Sequence, residues 1–434
     1  AALQAQWRNK AVSDTYYPGS VFKMVTLSMA LEENVATEET TFTCTGSYVP
    51  VQGERAINCH NTSGHGTQTL VQGTMNSCNP FFIYLGQLLG TETFFDYFEA
   101  FGFTQKTGID LPGESQSIYH DRDMSLMDLA VESFGQNFSI TPIQMITACA
   151  AIANGGYLVQ PHVVSQIVDN DGNIIKTADT TVKRQVISEE TSKRVSKILQ
   201  ENATSGTAKN GYVAGYRIAG KTGTSEKVGA DGKVGSDNKY IASYCGFAPA
   251  DDPQYAVLVF FDEPTGDSYY GGAVAGPVFA KIMEEILPYL NVETKYTEDE
   301  AGSVGVSAPN VIGKTVSEAT NELTNSGLKI LVKGSGDTVI AQTPDPGSSV
   351  PSGGTVVVYT DEASMNQTVT VPNFTNRSLS DVNYLAAQAG LNIKVTGAYN
   401  SSAATARTQD YAAGEQIKPG TVITVNFVEE DTVR

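Results

Sequence analysis

Histidine is scarce in this chain: 434 residues include four, and two of them, His60 and His65, fall in a polar, loop-like stretch that reads as surface. A Ser-His-Asp relay therefore has little material to draw on. Neither Cys-x-x-Cys nor His-Glu-x-x-His occurs, so the short zinc signatures are missing and no metal or other cofactor is expected. Basic residues are outnumbered 28 to 47, and the resulting net charge of −19 argues against nucleic acid as a partner. No run of about twenty apolar residues is present to span a membrane, and no charged-then-apolar leader opens the chain. Hydrophobic residues nevertheless make up 41% of the sequence, enough for a large core, and the length fits about three domains.

The informative segment is Ser20-Val21-Phe22-Lys23, placed after Tyr17-Pro18-Gly19 and before an apolar run through Leu31. Pro18-Gly19 predicts a turn and the run predicts a buried helix opened by Ser20. Residues three apart share a helix face, so the Lys23 amine can reach the Ser20 hydroxyl, which also lies at the positive end of the helix dipole. Burial lowers a lysine pKa and lets the amine accept a proton. This pairs a nucleophile with a base.

Ser-x-x-Lys is short, and Ser326-Gly327-Leu328-Lys329 repeats it. Two further elements in chain order strengthen the first occurrence: Ser77-Cys78-Asn79 and Lys221-Thr222-Gly223-Thr224. Both have decoys. Ser236-Asp237-Asn238 lies in a polar, Gly-rich stretch that reads as a hairpin loop, and Ser364-Met365-Asn366 also fits the spacing. Ser77, by contrast, follows a helix-like Leu70 to Met75 and precedes an apolar run from Phe81 to Leu89. Lys106-Thr107-Gly108 sits among turn residues, whereas Lys221 follows Tyr216 to Gly220 and reads as part of a strand.

With these three motifs the sequence resembles the class B penicillin-binding transpeptidases of Gram-positive cell walls. Gly135 to Gln144, Ala153 to Tyr157, Ser205 to Ala208, Gly246 to Pro249 and Gly276 to Phe279 resemble that family's framework over about residues 8 to 290. The resemblance implies an α/β (α+β) fold with a central antiparallel sheet flanked by helices. It also implies roles: Ser20 as nucleophile on the D-Ala-D-Ala end of a peptidoglycan stem peptide, Lys23 as acylation base, and Ser77 as proton relay to the leaving amine. Asn79 would hold the substrate backbone and fix Lys23, Lys221 would supply positive potential, and Thr222 and Thr224, around Gly223, would bind the terminal carboxylate. Backbone N–H groups of Ser20 and Thr224 would form an oxyanion hole worth roughly 3 to 4 kcal/mol per donor. An amine of a neighbouring stem would resolve the acyl-enzyme, and β-lactams would acylate Ser20.

The family is normally membrane-anchored on the extracytoplasmic face, and a polytopic membrane glycosyltransferase is an expected partner. Only nineteen residues precede Ser20, so the chain is expected to lack N-terminal strands of the sheet and to present a raw sheet edge. Two other readings stand beside the transpeptidase. A β-lactamase-like hydrolase would need a deacylation base, and no Glu-x-x-Leu-Asn element is found; a non-catalytic β-lactam-sensing or wall-binding protein would not need every catalytic side chain.

The transpeptidase domain is expected over residues 1–293, followed by a linker over 294–307. Two internal repeats follow, at 308–361 and 368–430, each reading as strand, amphipathic helix from Ala319 to Leu328 or Val382 to Leu391, then strands. They resemble PASTA modules, either wall-binding elements or passive spacers. Among five cysteines, Cys149 and Cys245 read as inert core residues. Cys59 and Cys78 form a candidate reversible disulfide, opened by an exported thiol reductant; a Cys44–Cys59 bridge or a simply buried Cys78 are the alternatives. A cysteine inside the second motif resembles the sporulation branch of the family, with spore cortex synthesis and septal synthesis both open as roles.

Overall fold

The run after Ser20 becomes a helix buried along nearly its whole length. In the computed structural model, which describes residues 6–229, 231, 234–266, 268–295, 305–351, 353–397 and 403–429, α1 (Lys23–Glu32) is buried from Lys23 through Leu31. A helix apolar on every side can only sit inside a core. A 3₁₀ turn, Gly19–Phe22, precedes it, so Ser20 stands in a tightened first turn rather than at the start of the α-helix. Phe22 anchors that turn against Phe138, Phe103 and Phe98, with ring centroids 4.7, 5.4 and 6.1 Å away. Edge and tilted contacts of this kind add to the burial of the rings.

The chain divides into two units, one mainly Ala1–Tyr212 with Arg217–Ile286, the other Val213–Tyr216 with Leu287–Glu430. In the first, short strands β1 (Thr41–Cys44), β2 (Ile57–Asn58) and β3 (Gly66–Thr69) lead to α2 (Leu70–Met75) and α3 (Asn79–Ala100), which is interrupted at Gly90. Then come α4 (Leu126–Glu132), α5 (Pro142–Ala153) and α6 (Glu189–Ser205). Capping boxes at Thr69, Ser125 and Thr141 explain where α2, α4 and α5 begin. Strands β4 (Ala219–Glu226), β5 (Tyr240–Ala248) and β6 (Tyr255–Asp262) form an antiparallel sheet in the order β6-β5-β4. Helix α6 packs on β4, and α5 packs on β5 and β6. The outer edge of β4 is thereby left beside the Gly19–Phe22 turn.

That junction depends on glycine. Gly135, at φ 93°, accepts the Gly19 N–H through its carbonyl at 2.8 Å, and a Cβ at Gly135 would lie 2.0 Å from the Gly19 carbonyl oxygen. Gly135→Ala should therefore incur both the left-handed backbone penalty, about 1–2 kcal/mol, and a clash that displaces the Ser20 turn. We expect a fall in Tm of at least several degrees together with slower acylation of Ser20. Gly53→Ala, at φ 90° with open space around it, isolates the backbone penalty alone. Equal melting temperatures for the two variants would contradict the clash.

The second unit contains the two repeats. Each has a three-stranded sheet of the same order: Lys329–Lys333, Thr355–Tyr359, Ala341–Thr343 in one, and Asn392–Gly397, Val422–Val428, Thr405–Gln409 in the other. The first pair in each sheet is parallel and the second antiparallel. The helices, Val316–Asn325 and Leu379–Gln388, start about three residues earlier than hydrophobicity alone indicated, because Thr315 and Ser378 cap them. Asn392 links the repeats: its side chain bonds both backbone polar groups of Thr355 at 2.8 Å and donates to the Gly420 carbonyl at 2.6 Å. Most of the expected linker, residues 296–304, lies outside the described residues.

Candidate active site

The three motifs come from three separate elements and meet at one cleft. Ser20 comes from the 3₁₀ turn, Ser77 and Asn79 from the junction of α2 and α3, and Lys221 to Thr224 from the edge strand β4. Ser20, Ser77, Asn79, Thr222 and Thr224 all line a cavity of about 120 Å³, joined by Gly19, His60, Phe134, Gln136, Thr207, Tyr270 and Gly272. Gly223 lies between the two threonines, and a Cβ there would approach Ser243 Oγ to 2.5 Å and the Pro18 carbonyl oxygen to 3.1 Å, so a larger residue would have to displace its neighbours.

Two buried ammonium groups converge on Ser77. Lys23 Nζ donates to the Ser77 carbonyl at 2.6 Å, to Asn79 Oδ1 at 2.6 Å and to Ser77 Oγ at 3.3 Å. Lys221 Nζ donates to Ser77 Oγ at 2.8 Å and to the Thr222 carbonyl at 3.2 Å. Both lysines are fully buried, and burial lowers the Lys23 amine to about 8, against an upward push from the Cys59 and Cys78 thiols. Lys23 is aimed across the fold at the second motif; none of these bonds goes to Ser20 Oγ, the partner that helical spacing indicated. Ser77 itself is held at φ 50°, a conformation rarely used by residues other than glycine, asparagine or aspartate. Cys78 N–H to the Gly73 carbonyl and Ser77 N–H to the Thr74 carbonyl secure that turn.

The decoys lie elsewhere. Ser236 is exposed in the loop between β4 and β5 and donates to Asp231, while the Thr107 and Gly108 N–H groups are tied to the Glu114 carboxylate. Ser326 caps the C-terminus of a repeat helix, and Ser364 to Asn366 form a 3₁₀ turn in the second unit.

All five cysteines are free thiols, including Cys59 and Cys78. The Cys78 thiol donates to Cys59, which holds Cys59 well below the usual thiol range and pushes Cys78 up. His60 and His65, read from sequence as surface residues, are half-buried and pack against Cys59, with Nδ1 atoms 3.8 and 3.6 Å from its sulfur. Cys44 joins them, so three thiols and an imidazole gather behind the second motif. Intervening gaps of 14, 5 and 12 residues match no short metal motif, so the sequence alone does not mark these residues as a group. Sequence gives no sign of an aromatic wall, in which Tyr240 stacks on Tyr269 with centroids 4.0 Å apart, Tyr269 meets Tyr270 in a tilted contact at 4.6 Å, and Tyr270 reaches the cleft. Tyr240 lies 29 residues before Tyr269, so nothing local marks those two as neighbours.

A cleft lined by Ser20, with Lys23, Ser77 and Lys221 hydrogen-bonded behind it in an α/β domain, is the residue set that serine acyl transfer uses. More narrowly, the chain belongs to the penicillin-binding protein transpeptidase family: residues 1–284 match the family described as the penicillin binding protein transpeptidase domain. Residues 306–362 and 369–429 each match the PASTA domain. Stage V sporulation protein D of Bacillus subtilis is 40% identical over 364 residues, covering 82% of this chain and 55% of that protein. Peptidoglycan D,D-transpeptidase FtsI of Escherichia coli K12 is 30% identical over 292 residues, covering 66% of this chain and 46% of that protein. The chain thus spans about half the length of these curated relatives. Among solved structures, penicillin binding protein 3 of Mycobacterium tuberculosis, complexed with aztreonam, superposes with a TM-score of 0.61 at 29% identity, covering 66% of this chain and 65% of that one. Penicillin binding protein 2X of Streptococcus thermophilus shares the fold over 97% of this chain and 62% of its own, with a TM-score of 0.57 at 24% identity.

Proposed function

We propose that this chain catalyses D,D-transpeptidation of peptidoglycan stem peptides through a serine acyl-enzyme, on the extracytoplasmic side of the membrane. The observation that carries the reading is the relay Lys221–Ser77–Lys23–Asn79 behind a cleft whose mouth holds Ser20. In it, Ser20 Oγ attacks the carbonyl of the penultimate D-Ala as its proton passes to the neutral Lys23 amine. Collapse of the tetrahedral species breaks the peptide bond, and Ser77, between the two ammonium groups, hands a proton to the departing D-Ala amine. Ser20 and Thr224 N–H groups stabilise the oxyanion, and Thr222 and Thr224 hydroxyls bind the terminal carboxylate. An amine of a second stem then attacks the ester, forms the crosslinking amide and returns the proton to Ser20.

Similarity to a protein named for stage V of sporulation supports a role in spore cortex synthesis, with septal synthesis as the alternative favoured by similarity to FtsI. An acyl-D-alanyl thioester, a reactive stand-in for acyl-D-Ala-D-Ala, tests the reaction when supplied with D-alanine as acceptor. The expected result is thiol release with an acyl-D-Ala-D-Ala product, accompanied by a long-lived penicillin adduct. Rapid turnover of penicillin would instead identify a hydrolase, and neither product nor adduct from folded protein would identify a non-catalytic binder.

A further inference from the structure

The sulfurs of Cys44, Cys59 and Cys78 and a ring nitrogen of His65 all lie within 4.8 Å of one another. They arrive from four places: the end of β1, the residue after β2, the loop before β3, and the N-cap of α3. The three thiols are buried at 2%, 2% and 0% exposure and none is in a disulfide, and the half-buried imidazole closes the group. We propose that these four side chains form a structural Zn²⁺ site that ties β1, the β2–β3 loop and the N-terminus of α3 together and so positions Ser77 and Asn79.

Geometry supports a single tetrahedral ion. With Zn–S near 2.3 Å and Zn–N near 2.0–2.1 Å, adjacent ligand atoms of a tetrahedron stand roughly 3.5–3.8 Å apart. Cys59 Sγ and His65 Nδ1 are already at 3.6 Å. A Cys₃His donor set is one that zinc takes in closed structural sites, and it offers no oxygen ligand for magnesium or calcium.

The backbone around the donors is built for close approach. Gly64, at φ 81°, lets the loop pass Cys44, because a Cβ there would lie 2.4 Å from the Cys44 carbonyl oxygen; Gly46, at φ 96°, similarly faces the Thr62 carbonyl at 2.0 Å. His65 N–H donates to the Cys44 carbonyl at 3.1 Å, and Cys59 N–H donates to the Gly46 carbonyl at 2.9 Å. These bonds fix two of the ligand-bearing loops before any metal arrives.

A Cys59–Cys78 disulfide would use two of the four donors and leave Cys44 and His65 without a role; a metal uses all four. Binding requires the thiols as thiolates, so their protons leave when the ion enters. Because Cys78 lies between Ser77 and Asn79, the ion would act through the backbone of the second motif. It would position those residues and take no part in the chemistry.

The test is elemental analysis of the full chain purified under reducing conditions without chelator, followed by cobalt substitution. The expected result is one zinc per chain and, with cobalt, the intense sulfur-to-metal charge-transfer band and visible absorption of a tetrahedral thiolate site. Cys44→Ser and His65→Ala should each weaken retention of the metal at least about tenfold and shift the cobalt spectrum, whereas Cys149→Ser should do neither. Should those variants fail to fold, the unsubstituted protein still decides, through its metal content and its cobalt spectrum. Fully reduced protein that takes up neither zinc nor cobalt would overturn the proposal, as would a Cys59–Cys78 disulfide found in protein prepared without oxygen. All these readouts are independent of turnover and of the proposed transpeptidation.

Discussion

Incubated with benzylpenicillin, the chain should gain the mass of one penicillin, and Ser20→Ala should gain none. The expectation rests on position as much as on chemistry. Two serines line the cleft, Ser20 and Ser77, and either could in principle open a β-lactam ring. Ser77 Oγ, however, sits between two ammonium groups, 2.8 Å from Lys221 and 3.3 Å from Lys23, at a residue only 8% exposed. A hydroxyl so placed is well set to pass a proton and poorly set to reach a carbonyl. Ser20 is less buried, stands on a turn clamped through Gly19 and Gly135, and has backbone N–H groups of that turn beside it. Removing its oxygen deletes the bond-forming atom, so the loss should be complete rather than graded. An adduct on Ser20→Ala that maps to Ser77 would reverse the two assignments.

Parts of this arrangement are legible in the sequence and parts are not, for physical reasons. Ser20 and Lys23 are readable because turn residues and a long apolar run define a buried helix locally. Lys221 is readable because the residues before it favour a strand, although the strand begins at Ala219, later than that passage indicated. The partners of Lys23 are not readable from helical spacing, which points to Ser20; the family resemblance points to Asn79, and the fold places Ser77 and Asn79, more than fifty residues away, within hydrogen-bond reach. The left-handed conformation of Ser77 has no sequence signal either, since it is imposed by the α2–α3 junction. The thiol–imidazole cluster was hidden for a similar reason, as its members are brought together by two glycine-dependent loops rather than by short spacing. In the repeats, capping residues rather than apolar periodicity set the helix starts.

The second large effect concerns Lys23. Replaced by methionine of similar volume, it should lower the rate of acylation by benzylpenicillin about 10²- to 10⁴-fold, the range for loss of a positioned general base. The direction with pH separates this from simple damage. Burial brings the Lys23 amine down to about 8, and in the proposed mechanism the neutral amine accepts the Ser20 proton. Acylation should therefore rise about tenfold per unit as pH increases toward 8 and level off above it; Lys23→Met should remove that limb and leave a slow, flatter profile. Structural loss alone would act differently. The substitution leaves the Ser77 carbonyl and Asn79 Oδ1 without their shared donor, a cost of about 1–3 kcal/mol for a buried group, which appears in Tm and does not by itself remove the rising limb of the acylation rate. A variant that keeps the rising limb would show that another group takes the proton, and Lys221, bonded to the same Ser77 hydroxyl, is placed for it. The two lysines differ in their place in the chain: Lys23 is one helical turn from Ser20, whereas Lys221 stands on β4 and donates to Ser77 Oγ and the Thr222 carbonyl. We propose on that ground that Lys23 deprotonates the nucleophile and Lys221 gives electrostatic support.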